Sequence, residues 1–157
     1  MNMSFTEKSA WISLVVIIYI WGQYALDVIG LHSNPISMED KEAIALSMIS
    51  TALIAVIIAE SAFHIILAMA HPDEDEQAGD ERDKQINLIA TKPAYAALFV
   101  GTIFAIGHLQ MGAYFPQMIE NSSLQIPFIS IHILIFSALI AEIIRFAVMI
   151  KEYRLGV

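Results

Sequence analysis

The chain has 157 residues, 57% of them hydrophobic and 15% charged, with a mean hydropathy of +0.65. Soluble domains hold about 45–50% apolar and about 25% charged residues, so this composition belongs to the membrane class. A net charge of -8 without a basic stripe argues against nucleic-acid binding, and the lack of cysteine excludes disulfides, thiolate nucleophiles, iron–sulfur ligation and cysteine zinc sites.

A membrane-crossing helix needs about 20 mostly apolar residues, and the backbone inside lipid must satisfy its own hydrogen bonds. Four segments qualify, giving expected spans over about 9–29, 43–70, 93–115 and 126–150. The fold class expected is all-α, a polytopic four-transmembrane-helix bundle in one membrane domain. The first segment reads as a retained span. Its start carries one Lys and one Glu, and its apolar run exceeds the ~7–15 residues of a signal peptide.

The central stretch 71–92 reads as a loop with an interfacial helix. Pro72 ends the second span, and the acidic run 73–76 lacks the D-x-D-x-D-G register of a calcium loop, which makes it a solvated linker. From Asp80 the pattern changes. Asp80 caps, acids fill the first turn, and Asp80 and Lys84 stand four apart, so 80–91 is expected to form a short helix leading through Lys92-Pro93 into the third span.

Orientation follows from basic residues near the span ends. Lys8, Arg82, Lys84, Lys92, Arg145, Lys151 and Arg154 fall on one side, and Lys41 alone on the other. Both termini and the central loop are therefore expected on the cytoplasmic side. Trp11, Trp21, Tyr24, Tyr114, Phe115 and Tyr153 fall near the expected interfaces, where amphipathic rings settle.

Two passages repeat. Lys8-Ser9-Ala10-Trp11 corresponds to Lys92-Pro93-Ala94-Tyr95, and Ala59-Glu60 to Ala141-Glu142, which suggests a 2+2 repeat of helical hairpins. Small residues recur every four positions at Ser47, Thr51, Ala55 and Ala59, and again at Ala97, Gly101 and Ala105. Such ridges let helix backbones approach closely, so both are expected to be packing seams rather than a ligand groove. The methionines at 48, 69, 111 and 149 are read as filler.

Ionisable residues inside a span are costly and want partners. Glu60 and His64 are four apart on one face, and Glu142 and Arg145 three apart, so each pair can bond directly. With the second and fourth spans adjacent, these four form one intramembrane polar cluster. Its first reading is a structural lock; as a functional site it is a proton relay or a cation-coupled site. His108 and His132 fall near the outer ends of spans three and four, where imidazoles on different helices suit zinc, copper or haem. Ordinary histidines bonded to backbone or to Ser130 are the competing reading, and no cofactor is required. With no G-x-S-x-G, P-loop or H-E-x-x-H, an enzyme reading has no motif behind it.

The segments Ser4-Phe5-Thr6-Glu7-Lys8-Ser9-Ala10-Trp11 and Asp80-Glu81-Arg82-Asp83-Lys84-Gln85-Ile86 give the chain a further signal. It resembles an uncharacterised group of small four-span bacterial inner-membrane proteins carrying S-F-x-E-K-x-A-W and D-E-R-D-x-x-I signatures. The resemblance implies a bacterial cytoplasmic membrane and a four-helix design, and no activity. Asp80, Glu81, Arg82 and Asp83 are expected to form an interfacial clasp, with Arg82 reaching lipid phosphates or Glu7. The functional expectation is a non-enzymatic protein acting through homo-oligomerisation or as an accessory subunit. The alternative is a dimeric small transporter or proton-coupled permease using Glu60 and Glu142, with metal or haem binding behind it.

Overall fold

A computed structural model describes residues 3–72, 80–120 and 126–155. The elements in chain order are α1 (Phe5–His32), α2 (Met38–Ala70), α3 (Glu81–Tyr114), the short α4 (Pro116–Glu120) and α5 (Ile129–Leu155). Helices α1, α2, α3 and α5 are each long and apolar enough to cross a membrane. The protein is an all-α, multi-pass membrane protein. The acidic run 73–76 lies outside the described residues.

Local chemistry sets the helix ends. Ser4, Ser37 and Asp80 cap α1, α2 and α3, accepting from the backbone N–H groups of Glu7, Asp40 and Asp83. Two helices stop at the residue before a proline, α2 at His71 and α3 at Phe115, because proline disfavours helical geometry in its predecessor.

The short helix expected over 80–91 does not stand apart. It is the first part of α3, which runs unbroken through Pro93. Proline removes one N–H and so leaves the Ile89 carbonyl without its usual partner, but the flanking turns keep theirs, a defect membrane helices tolerate. Ile86 and Ala90, below that proline, are fully buried and belong to the same core as Ile17, Trp21, Phe146 and Tyr153. This tertiary packing is what draws the segment into the bundle rather than onto a membrane surface.

The long helices pack as two antiparallel hairpins, α1 with α2 and α3 with α5, joined through α1 and α5. In the resulting order α2–α1–α5–α3, the start of α1, the end of α2, the start of α3 and the end of α5 share one end, here called proximal. Burial follows the order: a third of the most apolar stretch of α1 is buried, against 11% for α2, so α2 is the outermost helix. Ile57, Ile58, Ile65 and Ile66 point away from the protein, an apolar face that needs lipid or another chain against it.

The repeated passages keep their local environment. Ala10 and Ala94 are buried, while Trp11 and Tyr95 are exposed. Their helices do not occupy equivalent places, since α1 is the inner member of its hairpin and α3 the outer member of its own. Among the ring residues expected at interfaces, Trp11, Tyr114 and Phe115 face outward, whereas Trp21, Tyr24 and Tyr153 are buried. The Tyr24 and Tyr153 hydroxyls find partners inside the protein, as buried tyrosines require.

The small ridges also diverge. At Gly101 an added methyl would overlap the Ser137 side chain of α5, so α3 and α5 touch backbone to side chain there, and Ala105 one turn on is buried. Ala97 and Gly101 also border an open crevice beside that contact, while on α2 Ser47, Thr51 and Ala55 border an open crevice against α1.

Candidate functional site: polar groups within the spans

Among the described residues, ionisable and hydroxyl groups bond to one another in four places, beginning with the proximal half of the α1–α2 seam. Ser9 and Ser13, one turn apart on α1, are small enough to admit Glu60 and His64 of α2 between the helices. The Ser13 hydroxyl donates to Glu60 Oε2 at 2.8 Å and lies 3.1 Å from His64 Nε2. Glu60 Oε2 and His64 Nε2 are 2.9 Å apart, and His64 Nδ1 is 3.2 Å from the Ser9 hydroxyl. Glu60 Oε1 is buried with no hydrogen-bond partner. Both imidazole nitrogens are thus engaged. The two serine hydroxyls can donate or accept, and so suit either tautomer of the imidazole.

The other expected pair is self-contained. Glu142 Oε2 accepts from Arg145 Nε at 3.0 Å and from Nη2 at 2.8 Å, and the guanidinium lies 4.3 Å over the Phe146 ring. Arg145 borders a hollow of about 210 Å³ with Thr6, Asp83 and Asn87, on the side facing α3. The expected four-residue cluster therefore divides into two pairs. Span order is the reason: α1 lies between α2 and α5, and it supplies the partners for Glu60 and His64 itself.

The proximal end holds a third group built around the D-E-R-D segment. Asp80 is spent on capping, accepting from the Asp83 N–H at 2.8 Å, so Lys84 pairs with Glu81, at 3.7 Å, rather than with Asp80. The Asp83 carboxylate accepts from the Thr6 hydroxyl at 2.6 Å and from the Tyr153 hydroxyl. It thereby ties the beginnings of α1 and α3 to the end of α5. Arg82 extends over the Tyr153 ring, 5.5 Å from its centroid, and donates to the Tyr153 carbonyl at 3.4 Å. The expected Arg82 contact to Glu7 is taken instead by Arg154, whose Nε lies 2.6 Å from the buried Glu7 carboxylate.

At the distal end, His108 and His132 face different partners. His108 Nδ1 is 2.9 Å from the Ser130 hydroxyl, and the buried His132 places Nδ1 2.5 Å from the Tyr24 hydroxyl of α1. Positions 130 and 132 are two apart on α5 and so project from opposite sides of it. His108 meets the Ser130 side and His132 the α1 side. The two imidazoles are not brought to a common point, and the described residues contain no group of three or more His, Asp or Glu side chains able to hold a metal ion.

Ser9, Ser13, Thr6, Tyr153 and Arg154 were not singled out as site residues by the sequence. Only Ser9 and Ser13 carry a local signal, a pair of hydroxyls one turn apart on an apolar helix. The others act across 70 or more positions. No family model, no curated protein and no solved structure matches the chain, so any functional reading rests on these residues.

Proposed function

We propose that this chain is a non-enzymatic protein of a bacterial inner membrane, with its proximal end cytoplasmic, that acts by associating with a second membrane-embedded chain, most directly another copy of itself. The observation that carries this reading is the position of the Glu60–His64 pair. It sits on the outermost helix, with the imidazole 37% and the carboxylate 22% exposed at the edge of a single chain. Ionisable groups at a lipid boundary are costly and normally face a bundle interior. A partner helix laid along α2 would enclose them and cover the apolar face that α1 leaves free. Native mass measurement and cross-linking in mild detergent test this. A dimer or higher species with cross-links along α2 supports it, and a strictly monomeric chain with nothing copurifying rejects it.

A second reading, proton-coupled transport by a dimer, is favoured by the serine-lined Glu60–His64 contact, which can hold a proton on either group. Glu142, committed to Arg145 through one oxygen, is the weaker coupling acid. In proteoliposomes, Glu60→Gln should then abolish proton-driven flux in a folded protein, while Glu142→Gln should mainly loosen the bundle.

A further inference from the structure

The distal half of the α1–α2 seam holds a crevice of about 320 Å³, within the ~300–1,000 Å³ of small-molecule sites. Its polar lining is Gln23 and Asp27 from α1 and Ser47 and Thr51 from α2, with the Tyr19 and Tyr24 rings at the sides. The side chains of Gln23, Asp27, Ser47 and Thr51 make no hydrogen bond or ion pair with the described residues.

Most hydroxyls on the long helices find a partner, the exposed Ser61 being the other exception among the described residues. Ser50, Thr91, Thr102 and Ser137 each return their hydroxyl to the carbonyl four residues back, at 2.6–2.9 Å, the ordinary solution for a hydroxyl on a long helix. Ser47 and Thr51 do not, and they share their crevice with a carboxylate and a carboxamide that are equally unpartnered. Lys41, at the same end of the hairpin, is engaged elsewhere: its ammonium donates to the His32 carbonyl at 3.1 Å. The crevice thus offers one negative charge, several acceptors and two aromatic rings, beside apolar walls such as Met48 and Ala52.

We infer that this crevice binds an ammonium group carried on a small apolar body, with Asp27 as counter-ion, Thr51 and Ser47 accepting N–H donors, and the tyrosine rings against the cation. The same chemistry is presented by a free hydrophobic amine and by an ethanolamine lipid headgroup entering from the side.

The test uses the full chain in detergent. Benzylammonium, its neutral counterpart benzyl alcohol, and short-chain phosphatidylethanolamine and phosphatidylglycerol are each titrated, with binding read by tryptophan fluorescence and native mass spectrometry. At least one ammonium-bearing probe should bind about tenfold more tightly than its uncharged or anionic counterpart, the factor carried by about 1.4 kcal/mol. The preference should vanish in Asp27→Asn and weaken in Thr51→Val. Benzylammonium binding assigns the site to soluble amines, and phosphatidylethanolamine binding alone assigns it to the headgroup. Because Asp27 has no partner in the fold, its variant should fold normally, and circular dichroism checks this. Equal binding of charged and neutral probes, or an unchanged preference in Asp27→Asn, overturns the assignment.

Discussion

The two ends of the α1–α2 hairpin carry similar polar residues and use them differently. Proximally, Ser9, Ser13, Glu60 and His64 close on one another, and the neighbouring Asp83 and Glu7 bind α3 and α5 to the same end. Distally, Gln23, Asp27, Ser47 and Thr51 stand around open space. A polar group inside a span does not by itself announce a site. Partnered, it locks helices that gain little from burial in lipid; unpartnered beside a cavity, it is free to meet something else. The proximal polar groups are engaged with one another, while those at the distal crevice stand open.

Substitutions should separate the ends by size of effect. Asp83→Ala removes the acceptor for both Thr6 and Tyr153 and should cost the most, roughly 2–4 kcal/mol by denaturant titration in micelles, since hydrogen bonds to charged groups are worth ~1.5–3 kcal/mol each. Gly101→Val, which pushes a larger side chain into Ser137, should cost about 1–3 kcal/mol through overpacking and part α3 from α5. Ser13→Ala removes one neutral donor from the Glu60–His64 contact, and a loss of about 0.6–1.7 kcal/mol is expected, the scale of such bonds in membrane bundles. Asp27→Asn should stay within about 0.5 kcal/mol of the parent, as for a residue outside any stabilising network. A large loss from Asp27→Asn, or none from Asp83→Ala, would erase the contrast.

Legibility from sequence ran along the chain's local grammar. Apolar length revealed four spans, Asp80 revealed a cap, and the spacing of Glu60 to His64 and of Glu142 to Arg145 revealed two bonded pairs. What failed depended on which helix stands beside which. Adjacency of the second and fourth spans was needed to join Glu60 with Glu142, and α1 occupies that place. Arg154, not Arg82, reaches Glu7 because the end of α5 lies against the start of α1, a pairing that no local pattern encodes. The Ser47–Thr51–Ala55 ridge looked like a packing seam because spacing reports which residues share a face, not whether a neighbour closes on it.

The most direct test of the four-span arrangement exploits the absence of native cysteine. Asn34→Cys, in the distal turn, and Gln85→Cys, on an exposed face near the proximal end, give single thiols at opposite ends of the bundle. A membrane-impermeant maleimide applied to intact cells should label the first, and should reach the second only after lysis. Labelling of both positions from outside, or of position 85 alone, would contradict four crossings with the proximal end inside.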